Sequence, residues 1–257
     1  MIDIHCHILP GVDDGAQDYH DSLKMANQAV QNGITHIIAT PHHQTRRFQN
    51  EAQNVIEAVA DLNEYFQDHQ VDLKVHPGQE IRLYGEIVAE LKSGLDLPIA
   101  SADNPYVLVE FPSSQVPAFA ERVLYEMLVE GYRPIIAHPE RNSAIVEDPE
   151  KLYQLINQGA IAQLTAASLA GEFNKSVQRF SMELIESNLV HVIASDAHNT
   201  DFRGFANQKA YELLDQKFGL AEQFQMNAQN IMEGKQIISA PPSAIQKKGF
   251  FAKLLNR

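Results

Sequence analysis

The sequence predicts an α/β fold, a closed or nearly closed parallel barrel, on three observations. Short apolar strand segments alternate with amphipathic helical stretches as far as residue 232, the pattern of a parallel sheet joined by right-handed crossovers. Seven strands begin near residues 2, 35, 71, 106, 134, 160 and 190, and their apolar runs suit strands covered on both faces. Six of the seven end in His, Asp or Glu, and barrel active sites lie at the C-terminal strand ends. A doubly wound open sheet is the alternative. It would want a Gly-rich turn after the first strand, and none stands there.

Each element has its own signal. Ile2 and Ile4 alternate with Asp3, His5 and His7, which is strand period and turns both imidazoles to one side. Pro10 and Gly11 end that strand in a turn rich in Asp and Gly. Residues 18–32 carry Leu23, Ala26, Ala29 and Val30 at helical spacing, and Gly33 stops the helix. The strand 34–40 runs into Pro41-His42-His43. Residues 50–69 form a long helix whose expected buried stripe is Val55, Ile56, Val59, Leu62 and Phe66. A short strand at 71–75 precedes His76-Pro-Gly-Gln-Glu80. Residues 84–92 read as helix, 94–105 as irregular and 106–109 as a strand ending at Glu110.

The rhythm repeats in the second half. Helix 118–130, stopped by Gly131, leads to strand 134–137 and His138-Pro-Glu-Arg141. Helix 150–158, stopped by Gly159, leads to strand 160–164 and Thr165. Helix 175–187 leads to strand 190–194 and Ser195-Asp-Ala-His198, with Asn188 as the left-handed stop. Residues 205–218 and 220–232 supply the last helices. Pro241-Pro242 marks the expected end of the compact domain, which gives a barrel at 1–240 and a tail at 241–257.

Composition bounds the function. A chain of 257 residues with 44% hydrophobic content can bury a large core. Its single cysteine, Cys6, and the lack of a leader or long apolar run point to a reducing, cytoplasmic setting. A net charge of −13 opposes nucleic-acid binding but not a phosphate substrate held in a locally positive cleft.

The polar residues that follow the strands are His5, His7, Asp14, His42, Glu80, Glu110, His138, Asp196 and His198. Converging strands would bring these nine to one rim. Imidazole with carboxylate and no thiolate suits manganese, iron or zinc better than magnesium or calcium. Nine ligands exceed the coordination of one ion, so two or three are implied.

These residues carry a resemblance. HCHILPGVDDG at 5–15, TPHH at 40–43, GQEIRL at 78–83, EFP at 110–112, AHPERN at 137–142 and SDAHN at 195–199 resemble the polymerase-and-histidinol-phosphatase (PHP) metallophosphoesterases. Within that family the chain is most similar to the manganese-dependent bacterial tyrosine-protein phosphatases of capsule and exopolysaccharide operons. The resemblance spans almost the whole chain and implies a distorted TIM-like (β/α)7 barrel with a trinuclear manganese site. It implies one metal among His5, His7, Glu80 and Asp196, and a second among Glu80, Glu110 and His138. A third would lie among Asp14, His42 and His198. The sequence itself supports the set of nine, not this partition.

Two arginines stand beside presumed ligands. Arg141 is expected to fork onto phosphate, whereas for Arg203 phosphate and a surface ion pair stand open. The expected reaction is attack of a metal-held hydroxide on phosphorus, in line with the leaving oxygen. A phenolate leaves readily (Tyr pKa about 10), so a strong general acid is not obligatory. His43 is expected to pack or to support a ligand. Cysteine chemistry is excluded: cysteine-dependent tyrosine phosphatases carry Cys-x5-Arg, and Val12 stands six positions after Cys6. His20, His36, His69, His76 and His191 are expected to be structural or solvated. The basic, apolar tail with Lys247, Lys248, Phe250, Phe251 and Lys253 could touch an anionic membrane or a kinase, docking on the barrel being the plainer outcome. The expected partner is a tyrosine-phosphorylated protein such as a bacterial tyrosine kinase. A histidinol-phosphatase-like small-molecule phosphoesterase is the alternative on the same barrel, and a non-catalytic kinase-binding regulator is the alternative from another class.

Overall fold

A computed structural model describes residues 1–99 and 105–245; the tail at 246–257 and residues 100–104 lie outside it. In chain order the elements are β1 Ile2–Cys6, α1 Tyr19–Gln31, β2 His36–Ala39, β3 His42–His43, α2 Ala52–Asp68, β4 Lys74–Pro77 and β5 Glu80–Arg82. Then come α3 Ile87–Ser93, β6 Tyr106–Glu110, α4 Ala120–Val129, β7 Arg133–Ala137, α5 Ser143–Glu147 and α6 Glu150–Asn157. The last are β8 Ile161–Thr165, α7 Ala166–Ala170, α8 Lys175–Glu186, β9 Val192–Ala194, α9 Asn207–Phe218 and α10 Ala221–Met232.

All strand pairs are parallel. β1, β2 and β4 form one sheet and β3, β5, β6, β7, β8 and β9 the other. Two of the seven staves run past the ends of the expected strands and are broken: β2 continues as β3, and β4 as β5. The breaks fall at Thr40-Pro41 and Gly78-Gln79, where Pro41 has no N–H to give a ladder and a side chain on Gly78 would strike Ile38 and Ile99. The two sheets join into a ring. Cys6 bridges Ala197 in parallel register, with His7 N–H on Ala197 O at 2.9 Å and Asp196 N–H on His5 O at 2.8 Å. The result is the distorted seven-stave barrel.

Ile4, Ile38, Leu108, Ile135, Val192 and Ala194 meet in one buried cluster inside the ring, and Ala228 and Ile231 of α10 join it. Two further clusters bury the strands' outer faces under the helices. Four helices stop in one way: Gly33, Gly131, Gly159 and Asn188 all have positive φ, and the next N–H reaches back to a carbonyl of the last turn. The chain therefore turns at once into the following strand.

Several expectations are corrected. Ile56 and Val30 are exposed rather than buried; each lies one position off the stripe that faces the barrel, and on α1 Ser22 and Met25 are buried instead. The strand expected at 71–75 begins only at Lys74, because Val71 N–H caps α2 through Phe66 O at 3.0 Å, past a left-handed Gln70. The helix expected from Tyr84 begins at Ile87. After Pro241-Pro242 the chain still touches the barrel, with Ser243 N–H on Ser187 O at 2.9 Å. No helix among the described residues is long and apolar enough to cross a membrane.

His191, before β9, proves structural: its Nδ1 accepts the Ala162 N–H at 3.2 Å. Burial pushes its pKa from 6.5 down to about 4. Below pH 6.5 the unfolded chain therefore takes up a proton that the folded chain refuses, and stability falls as pH drops from about 6.5 towards 4. Between pH 7 and pH 5 this one group removes about 2 kcal/mol, at 1.36 kcal/mol per unit. Urea denaturation of wild type and His191→Gln at both pH values checks this. The variant should lose less stability on acidification by about that amount, and equal losses would refute it.

Candidate metal centre

The site occupies the C-terminal mouth of the barrel. β1 delivers His5, and His7 follows it directly. The loop after β1 returns so closely that a methyl group on Gly15 would fall on the carbonyl oxygen and Cβ of His7; only glycine lets that loop present Asp14. His42 lies on β3, Glu80 on β5 and Glu110 at the end of β6. His138, Asp196 and His198 follow β7 and β9. His138 (φ 34°) and Asp196 (φ 52°) both adopt left-handed backbone, which L side chains rarely tolerate and which clusters at functional positions.

All nine residues converge. Glu80 Oε2 lies 3.5 Å from His5 Nε2, 3.4 Å from His7 Nε2 and 2.8 Å from His42 Nδ1. Its other oxygen lies 2.8 Å from His138 Nε2. Asp196 Oδ1 is 3.4 Å from both His5 Nε2 and His7 Nε2. Asp14 Oδ1 is 3.4 Å from His42 Nε2 and 3.5 Å from His198 Nε2. Among these nine residues, three groups offer ligand atoms within 4.8 Å of one another: His5, His7 and Asp196; His7, Asp14, His42 and His198; His42, Glu80 and Glu110. The first two are similar to the partition that the family resemblance implies. In the third, His42 stands where His138 was expected, and His138 touches Glu80 from the side.

The imidazoles are held by groups that sequence reading missed. Asp13 Oδ2 takes the His7 Nδ1–H at 2.7 Å, Gln163 Oε1 the His5 Nδ1–H at 3.0 Å, and the Asp196 carbonyl the His198 Nδ1–H at 3.0 Å. Each bond leaves the Nε2 lone pair facing inward, as a metal ligand requires. Asp13 could have been suspected from the doubled aspartate in the motif. Gln163 lies inside an apolar strand and gave no such signal.

The electrostatics fit a cation. Burial opposes charge on Glu80 and Asp196, yet the surrounding His5 and, for Asp196, first Arg141 outweigh it and hold both carboxyls well below the usual range. Burial, then repulsion from Glu80, pushes Glu110 up. Burial opposes protonation of His42, but Glu80 lifts it to about 10. His198 falls to about 4 through burial and the nearby His7. Glu80 Oε2, Glu110 Oε2, His42 Nδ1 and His198 Nε2 are buried without a properly directed hydrogen bond. Orphaned lone pairs on carboxylate and imidazole, crowded together, are what a divalent ion satisfies.

Arg141 and Arg203 stand at the rim, and both guanidiniums reach Asp196 Oδ2, Arg203 at 3.5 Å. With His42, Glu110, His138 and Asp196 they line a cavity of about 220 Å³. Arg82, not anticipated, pairs with Glu110 at 2.7 Å. Cys6 is buried away from the site, and burial pushes its thiol up, so no thiolate serves there. His43 packs beneath the site, 2.9 Å from Asp96 Oδ1. His36 and His76 pair with each other at 2.9 Å.

Such a barrel, with its histidine- and carboxylate-lined mouth, defines the class of metal-dependent barrel enzymes. The chain belongs to the capsular polysaccharide synthesis family CpsB/CapC, whose sequence pattern matches residues 1–234. Tyrosine-protein phosphatase YwqE of Bacillus subtilis is 45% identical over 98% of this chain and 99% of its own. CapC of Staphylococcus aureus is 36% identical over 97% and 99%. A crystal structure, one of a set from YwqE and Streptococcus pneumoniae CpsB described as metal-dependent tyrosine phosphatases, superposes with a TM-score of 0.93. It is 45% identical and covers 96% of this chain and 100% of that one. A β-aspartyl dipeptidase from Fervidobacterium islandicum, 14% identical, superposes at 0.52 over 95% of this chain and 76% of that one, a likeness of fold alone.

Proposed function

We propose that the chain is a metal-dependent protein-tyrosine phosphatase acting in the cytoplasm on a tyrosine-phosphorylated protein, such as a kinase governing capsule or exopolysaccharide synthesis. The observation that carries this reading is the convergence of nine ligand-type side chains at one barrel mouth, four of them lining a small cavity together with two arginines. His5, His7, Asp14, His42, Glu80, Glu110, His138, Asp196 and His198 would hold two or three cations; the donor set suits manganese, iron or zinc, and the family resemblance favours manganese. When bound, such ions lower the pKa of water and neutralise charge on phosphoryl oxygens.

The chain's own groups do the rest. Asp13 and Gln163 fix imidazole orientation through the bonds described above. Arg141 and Arg203, facing the cavity, fork onto the equatorial phosphoryl oxygens and orient phosphorus for in-line displacement. The phenolate leaves with a pKa of about 10, so no side chain need donate a proton as the P–O bond breaks.

The test compares hydrolysis of a tyrosine-phosphorylated peptide and of histidinol phosphate, with manganese, with chelator, and with His138→Ala. Peptide turnover that requires both manganese and His138 is expected. Turnover of histidinol phosphate alone would make the protein a small-molecule phosphoesterase. Bound metal without turnover of either would leave the non-catalytic kinase-binding reading ahead.

A further inference from the structure

A second groove, of about 530 Å³, opens directly from the metal cavity, sharing His42 and Glu110 with it. Its far wall is the turn at 44–50, which carries Arg46, Arg47 and Phe48; Arg82, Pro112 and Gln115 form the near side. In a chain of net charge −13, three arginines in one groove are a local reversal of sign. The carboxylates of the groove are Asp14 and Glu110, both assigned above to cations. Loaded with metal, the groove is therefore positive along its length.

The turn is built, not loose. Thr45 Oγ1 accepts the N–H of Phe48 at 2.9 Å and of Arg47 at 3.3 Å. At its far end Asn50 donates its N–H to His43 Nδ1 at 3.0 Å and its amide to His42 O at 2.8 Å. Phe48 stacks on His42, with rings 13° apart and centroids at 6.0 Å, and the Arg47 guanidinium lies 5.0 Å over Phe48. Arg46 and Arg47 are exposed and have no carboxylate partner among the described residues. The turn that carries these two cations is thus held in fixed relation to the metal cavity, and neither contributes to the core.

A small phosphate ester fills the cavity and leaves this wall untouched. A polypeptide cannot, because residues beside a phosphotyrosine seated over the metals must cross the rim. We propose that this groove, through Arg46 and Arg47, binds an acidic segment flanking the phosphotyrosine of the protein substrate. The proposal rests on the phosphatase reading and adds which phosphotyrosines are preferred. Its recognition is electrostatic, so it acts through encounter and KM and weakens with salt.

The experiment uses the manganese-loaded full chain and two phosphotyrosine peptides of equal length, one with Asp and Glu beside the phosphotyrosine, the other with Ser and Gln there. The neutral peptide reports the chemistry in each protein, so the ratio of kcat/KM values isolates the groove. Wild type should favour the acidic peptide by about tenfold, the worth of two exposed charge pairs, through KM and at low salt. Arg46→Ala/Arg47→Ala should bring the ratio close to one, and Arg46→Glu/Arg47→Glu should invert it. A wild-type ratio of one, or a tenfold ratio that survives both variants, overturns the groove. So does a ratio of one accompanied by Arg46- and Arg47-dependent binding to phosphatidylglycerol vesicles, which assigns the turn to a lipid surface. No turnover of either peptide by wild type overturns the phosphatase reading instead.

Discussion

Glu80→Gln should lose at least about a thousandfold in kcat, the upper range for removing a single preorganised electrostatic group, because this carboxylate serves several partners at once. It is fully buried and lies within 3.5 Å of imidazole nitrogens from His5, His7, His42 and His138. Glutamine keeps the volume, so the surrounding core has no reason to rearrange. It replaces an acceptor oxygen with an NH2 that cannot ligate a cation, and removes the charge that balances the imidazoles. Metal content by mass spectrometry should fall together with activity. A variant with full metal content and a tenth of wild-type turnover would remove Glu80 from the centre of the site.

Stripping the metal should soften the whole barrel. Glu80 and Asp196 are buried, and Glu110 is repelled by Glu80; a ligand that binds only the folded state adds RT ln(1 + [L]/Kd), about 2.7 kcal/mol at a hundredfold excess over Kd. At about 2–4 °C per kcal/mol for a chain of this size, each such ion raises Tm by roughly 5–11 °C. Calorimetry with and without chelator should show at least that shift in wild type and less than half of it in Glu80→Gln. An unchanged wild-type Tm, with metal demonstrably removed, would mean that the cations do not bridge the staves.

The staves themselves were legible because each is an apolar run ended by a polar residue, and both features are written locally. The nine candidate ligands were legible for the same reason: eight of them lie on a strand or just beyond its end, and Asp14 belongs to a turn marked by Asp and Gly. What was hidden depends on distant partners. β3 and β5 are too short to show a period, and only pairing with a neighbour makes them strands. The five-residue helices α5 and α7 are fixed by packing and by the Asn142 cap. Val71 has strand propensity, but capping α2 claims its N–H. Gln163 reads as a stray polar residue until His5, 158 positions away, supplies its partner.

The seam between β1 and β9 has a consequence for synthesis. Cys6 and Ala197, which close the ring, are 191 residues apart, and His5 and His7 lie on one lip while Asp196 and His198 lie on the other. A polypeptide emerging from the ribosome pairs its first stave with β2 early, yet must wait for its last stave to find the second neighbour. Long-range closure of this kind slows folding, and chains lengthen by only about 5–20 residues per second. No nascent or prematurely ended chain can therefore assemble the centre, and the cell never meets a half-made enzyme that is already active.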